Sequence, residues 1–257
     1  MDRPKKVSHK QTKKLSRRKR RSYPKLFLIL LILALISWGG LKLYHSPLFN
    51  IKKIKITGNH RVSARRILQL SQVAPGISLL KISPWQIRKM ITTEPWIKNI
   101  QIIRHFPTTL ELKVEERKPI ANLVVLDYIF LIDDEQIVLE RLPEKDGHLP
   151  VIKDVKTNGI EIGKPIRSDS LANAIVCLKN LDASLRESVE EISAATIDDL
   201  SFVIRQGTKI IFGKSEEMTK KKYVLSAILS QAKINSQKII YIDVRVVSNP
   251  VVKKIEN

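Results

Sequence analysis

Hydrophobic and polar positions change their rhythm several times along the chain, and each change predicts an element. An uncharged run from Leu26 to Leu41 has no polar face at all. Its sixteen residues would span about 24 Å as a helix, with Lys25 and Lys42 at its ends. The pattern then turns to period two at Lys53-Ile54-Lys55-Ile56, which predicts a strand, and Gly58-Asn59 ends it. Ser63 is placed to cap a helix through Ala64, Ile67, Leu68 and Ser71. Ser83-Pro84 opens a second helix with Ile87, Met90 and Ile91 on its apolar side. Glu94-Pro95 stops it, because a residue before proline avoids the α region. Ile97–Arg104 and the alternating Leu110, Leu112, Val114 predict two strands joined at Phe106-Pro107-Thr108. The order is β-α-α-β-β in about seventy residues.

After residue 119 the pattern predicts more strands: Leu123–Val125, Tyr128–Ile132, Ile137–Leu139 and a short Leu149–Ile152. A helix capped at Ser168 follows, with Leu171, Ala174, Ile175, Leu178 and Leu181 inward. Strands at Glu191–Ile197, Leu200–Ile204 and Lys209–Phe212 come next, the last two joined at Gln206-Gly207. A helix from about Glu216 to Asn235 packs with Leu225, Ile228, Leu229 and Ala232. The last predicted strand sets Ile240, Ile242, Val244 and Val246 against Ile239, Tyr241, Asp243 and Arg245. The reading is an α+β chain with five parts. These are a disordered basic tail (1–25), a transmembrane helix (26–44), a first domain (48–118), a second α+β domain with a mainly antiparallel sheet (119–250) and a C-terminal tail (251–257).

Charge fixes the orientation of the span. The chain carries a formal +21, and residues 1–25 hold twelve Lys/Arg against Asp2. A block of like charge cannot bury apolar surface, hence the expected disorder. Basic residues concentrated before the span put the N-terminus in the cytoplasm and everything after Leu41 outside. Leu26, Leu30 and Leu33 would face lipid, and Trp38 would sit near the interface. A cleaved signal peptide would need a small-x-small site, and Ser37-Trp38-Gly39-Gly40-Leu41 offers no clean one.

Candidate chemistry is sparse. Cys177 is alone, which excludes an intrachain disulfide and a thiolate metal cage. The five histidines have no zinc-ligand spacing, and adjacent carboxylates such as Asp133-Asp134 point to opposite faces of a strand. No phosphate-binding loop or nucleophile elbow occurs. The reading is a protein that is not an enzyme, with no catalytic residue, metal or cofactor and no specific nucleic-acid partner.

Several stretches carry a family resemblance. Phe49–Asn59, Gly76-Ile77-Ser78-Leu79-Leu80, Glu94-Pro95-Trp96-Ile97, Arg104–Leu110 and Val114–Ala121 fall where the motifs of a POTRA domain fall. With the basic tail, the single span and the closing Tyr241-Ile242-Asp243-Val244-Arg245, the chain resembles the FtsQ/DivIB family of bacterial cell-division proteins. That resemblance implies a bitopic scaffold at the septum that recruits or regulates other divisome proteins. It implies FtsB- and FtsL-like partners bound by strand addition, at Tyr241, Asp243, Arg245, Val246, Val247 and Ser248. Self-association is compatible with the sequence. The family's usual glycine is missing from the turn at Asp133–Gln136, and Val246 stands where some relatives have tyrosine. Two other readings are a membrane-tethered envelope hydrolase and a POTRA component of outer-membrane transport. The first lacks a paired-carboxylate or metal signature; the second lacks the strands of a following barrel.

Overall fold

The computed structural model describes residues 23–234 and 238–255. Residues 1–22 of the expected disordered tail (1–25) lie outside them, while Tyr23–Lys25, expected to be disordered, belong to a helix instead. Helix α1 (Tyr23–Tyr44) is 22 residues long, about 33 Å. Its Lys25–Tyr44 part has mean hydropathy 2.3, and none of it is buried by protein. The helix begins three residues before the uncharged run and ends at the predicted Tyr44. Glycines 39 and 40 do not interrupt it.

Residues Phe49–Asn257 form one compact unit, which holds two hydrophobic cores. The first is built by β1 (Lys53–Thr57), α2 (Ala64–Ser71), α3 (Pro84–Ile91), β2 (Ile97–His105) and β3 (Thr109–Glu116). The sheet order is β1-β3-β2, with β1 parallel and β2 antiparallel to β3. Period two places Leu110, Leu112 and Val114 inward along β3, and all three are buried. Ser63 caps α2 by accepting from the Arg66 amide at 3.2 Å. Gly58 turns at φ +79 and lies so close to the β3 backbone that a Cβ there would sit 2.2 Å from the Val114 carbonyl oxygen. The Glu116 carboxylate then accepts from the amides of His60, Arg61 and Val62. Burial works to raise its pKa, but these three donors outweigh it and hold the group below the ordinary value.

The second core underlies a nine-stranded sheet. In chain order it contributes β4 (Pro119–Val125), β5 (Tyr128–Asp133), β6 (Val138–Leu142), β7 (Val151–Lys153), α4 (Asp169–Asn180), α5 (Ala183–Ser188), β8 (Val189–Ser193), β9 (Ser201–Ile204), β10 (Lys209–Ile211), α6 (Met218–Ile234), β11 (Ile239–Asp243) and β12 (Val251–Lys254). The order across the sheet is β12-β11-β10-β9-β8-β7-β4-β5-β6. Five of its eight strand pairs are antiparallel. The α4 residues named from periodicity are buried, as is Leu181 just beyond its end.

Three expectations for the region after residue 119 are corrected. The expected tail gives way at its start: Val251–Lys254 form β12, paired antiparallel to β11. The described residues after 119 hold three helices rather than two, because the six residues after Asp182 form α5. The alternation in β11 slips, so that Ile239 is buried and Ile240 is 42% exposed. A register shift between Ile239 and Tyr241 causes this, since one extra residue moves every earlier side chain to the other face. Finally, the turn without glycine is closed by other means. Gln136 takes φ +64, and the Asp133 carboxylate accepts from the amides of Glu135 and Ile137 at 2.9 and 2.8 Å. Those two bonds favour the left-handed residue that glycine would otherwise supply.

Candidate partner-binding edge

The residues named for partner binding lie on β11 and the loop that follows. Tyr241 and Asp243 are on β11, while Arg245, Val246, Val247 and Ser248 belong to the connection to β12. The sheet brings the six close together in sequence and space, but not onto a free strand. Backbone groups of β11 are used on both sides, by β10 in parallel and by β12 in antiparallel. Val244 extends the parallel ladder by donating to the Ile211 carbonyl at 2.9 Å. The outer edge of the sheet at this end belongs to β12. Sequence reasoning missed that strand, although Asn249-Pro250 followed by Val251-Val252 is a turn signal before a β-branched pair.

Arg245 is anchored. Its guanidinium reaches both oxygens of Asp243, at 3.1 Å from Nε and 2.7 Å from Nη2, and its amide donates to the same carboxylate at 3.0 Å. The Arg245 side-chain bond holds the Asp243 carboxyl below its ordinary range, against a smaller opposing effect of burial. The stem of Arg245 crosses Gly213, where a Cβ would approach Arg245 Cγ at 3.0 Å. Beyond it, a turn closed by Asn249 N–H donating to the Val246 carbonyl at 3.1 Å carries the chain into β12. Val246 is 60% exposed at the head of that turn.

Beside the edge lies a cleft of about 910 Å³ between α5, the end of α6, the β9–β10 turn and β11. Leu185, Leu229, Ile239, Ile240 and Ile255 give it apolar walls, with Lys233 and Lys238 on its lining as well. Ile255 N–H donates to the Lys238 carbonyl at 3.0 Å. Counting back by the two-residue period of an antiparallel ladder, the amides of Lys254 and Val252 point away from β11, toward the open side.

Behind β11, Lys221 is buried and donates to the carbonyls of Phe212 and Lys214 at 2.8 and 2.7 Å. Its ammonium also lies 4.7 Å from the centre of the Phe212 ring. Burial pulls the Lys221 pKa down. The neighbouring Cys177 thiol is pushed up to about 12 by burial, a state without nucleophilic character. Among the described residues no three His, Cys, Asp or Glu side chains are grouped to hold a metal ion.

The span residues Leu26, Leu30, Leu33 and Trp38 are each more than half exposed along α1, with no protein against them. Such a helix belongs in lipid rather than in a core.

Comparison with known proteins agrees with this layout. Residues 49–117 match the POTRA domain, FtsQ-type, and residues 124–245 match the C-terminal region of the cell division protein FtsQ/DivIB. The chain is 27% identical over 228 residues to the cell division protein FtsQ of Syntrophotalea carbinolica, covering 87% of this chain and 80% of that one. It is 31% identical over 212 residues to FtsQ of Anaeromyxobacter sp. (strain K), covering 77% and 71%. With DivIB of Clostridium acetobutylicum it shares 27% over 210 residues, covering 80% and 83%. The solved major extracytoplasmic domain of the trans isomer of DivIB from Geobacillus stearothermophilus superposes with a TM-score of 0.32 at 18% identity. That match covers 47% of this chain and 98% of that one, a likeness too weak to carry an argument. The two family matches and the relatives meet on a chain whose N-terminal helix suits a bilayer, and the chain belongs to the FtsQ/DivIB family of cell-division proteins, anchored to the membrane.

Proposed function

We propose that this protein is a non-enzymatic bitopic scaffold of the division apparatus, which captures extracytoplasmic segments of FtsB- and FtsL-like partners by strand addition and so recruits or regulates them at the septum. In this reading the basic stretch before α1 stays in the cytoplasm and Phe49–Asn257 faces outward. Confinement by the span raises the effective concentration of the outer unit for other anchored proteins. The observation that carries the reading is the open side of β12, next to an apolar cleft at the end of a nine-stranded sheet. An added strand would take main-chain hydrogen bonds from β12 and insert alternate side chains into the cleft. The anchored Asp243–Arg245 pair, Tyr241 and the turn Val246-Val247-Ser248 would fix where that strand begins.

The test is proline substitution. Lys254→Pro removes an edge amide without breaking the β11–β12 ladder. Val247→Pro sits at the second position of a turn, where proline fits. Both variants are expected to keep the wild-type circular dichroism spectrum and to lose most capture of an FtsB-like segment. Unchanged capture by Lys254→Pro would remove the edge as the binding site. A reporter fused after Asn257 that functions only in the cytoplasm would overturn the orientation.

A further inference from the structure

The chain that opens the outer unit has an unusual charge. Between Asp2 and Glu94 the sequence contains no acidic residue, while residues 45–93 hold nine Lys/Arg. Three of these find carboxylates elsewhere: Lys55 pairs with Glu111, Arg61 with Glu140 and Arg66 with Glu94. Lys52 and Lys53 are exposed and make no ion pair with a described residue. Lys89 is also exposed, and its ammonium lies over the Trp85 ring at 5.3 Å.

These cations surround exposed apolar loop tips at one pole of the β1-β3-β2 sheet. Phe106, 56% exposed, stands edge-on to Phe49 with ring centres 5.8 Å apart. The amides of Lys52 and Lys53 donate to the Thr108 carbonyl, which seats them beside the same turn. Ile77, 39% exposed, is held next to Ile51 by a backbone bond of 2.9 Å. Arg104, two residues before Phe106, donates to the Ile82 carbonyl at 2.7 Å and so places the start of α3 nearby. There Trp85 is 68% exposed. Phe49 follows the last residue of α1, Tyr44, by five positions, a covalent reach of at most about 17 Å. This pole is therefore kept within a short tether of the bilayer.

We propose that the pole carrying Phe106, Ile77, Trp85, Lys52, Lys53 and Lys89 docks on the anionic phospholipid headgroups of the membrane that anchors the chain. Aromatic rings suit the interfacial layer. Each nearby lysine adds attraction to an acidic surface, and the tether removes most of the cost of finding it. Docking would fix the tilt of the outer unit, and with it the height at which the β12 edge is offered. The proposal rests on the membrane anchor and not on strand addition, so either can fail alone.

The test uses the full chain with Trp38→Phe, reconstituted in nanodiscs of phosphatidylcholine with or without 30% phosphatidylglycerol, part of the lipid being brominated. Trp85 should be quenched in the anionic discs, while Trp96, only 8% exposed, supplies the unquenched background. Lys52→Glu with Lys53→Glu should lower the docked-to-free ratio at least about tenfold, and 0.5 M salt should act in the same direction. A Phe106→Ser variant with native circular dichroism should also lose quenching. Equal quenching in neutral and anionic discs, or none in either, would overturn the proposal. So would capture of poly-glutamate in place of quenching, which would assign the patch to an acidic protein.

Discussion

Arg117, in the two-residue link between β3 and β4, donates its guanidinium Nη1 to the buried carboxylate of Asp133 at the end of β5. The same nitrogen reaches Glu135 at 2.8 Å, and Lys98 on β2 reaches Glu135 at 3.0 Å. Lys179 on α4 holds Asp134 from the other side at 2.6 Å. The β5–β6 turn is thus clamped to the three-stranded sheet, and Leu131 and Leu139 from that hairpin complete the first core. The two cores are joined by packing and charge together.

Removing the arginine should expose what that clamp contributes. Arg117→Ala leaves Asp133, 1% exposed, with only two backbone donors. The expected loss is about 3 kcal/mol of unfolding free energy, read by urea unfolding of the Phe49–Asn257 unit. Arg117→Ala with Asp133→Ala should be little worse than either single variant, which a double-mutant cycle measures.

Acid should weaken the same clamp. Lys179 holds the Asp134 carboxyl below its usual range, and Arg117 followed by Lys98 does so for Glu135. A carboxyl depressed in the folded state contributes fully above its unfolded value, and its contribution fades as pH falls through the folded one. Stability should therefore hold above about pH 4.5 and decline below it. The acid side of a Tm-against-pH curve should be flatter in Arg117→Ala.

Two glycines with the same backbone sign should differ sharply. Gly58→Ala places a methyl group against the Val114 carbonyl and should cost at least about 3 kcal/mol. Gly207, at φ +80 in the β9–β10 turn, has open space around it, so Gly207→Ala should cost only about 1 kcal/mol. Paired denaturant curves decide this.

Lys221 should give the second core a basic-side pH dependence. Its folded pKa lies below the ordinary value, so the unfolded chain binds more protons as pH rises toward about 10.4. Its contribution to stability therefore grows over that range. The Cys177 thiol works oppositely, because unfolding frees it to ionise. Measured in a Cys177→Ala background, Lys221→Met should be about 2 kcal/mol less stable at neutral pH, and the gap should widen as pH rises.

The β4–β5 turn should accept improvement. Leu126 and Asp127 both have positive φ, +48 and +65, and Leu126 is 85% exposed. Asn-Gly suits two such positions. Leu126→Asn with Asp127→Gly should raise stability by about 1 kcal/mol, seen as an upward shift in Tm.

Local rules make much of the fold legible in the order of the residues. The period-two run of Leu110, Leu112 and Val114, the Ser63 and Ser168 caps, and the apolar face of α4 each follow from a few neighbouring residues, and each lies where the pattern places it. The motif order from Phe49 to Arg245 carries the family, because spacing along the chain is a property of the sequence. Strand β12 is not legible in this way. Asn249-Pro250 before Val251-Val252 is a turn signal ahead of a β-branched pair, but four residues do not fix a strand by themselves, and the ladder that β11 offers decides it.

The sequence by itself determined the apolar anchor, the charge asymmetry around it, and most helices and strands, since these depend on contacts within a turn or two of the chain. Tertiary structure alone decided that β11 is an interior strand, that β12 holds the open edge, and that Arg117 and Asp133 close the joint between the cores. Each of those facts is a pairing between residues with no local signature, and such a pairing exists only once the sheet has assembled.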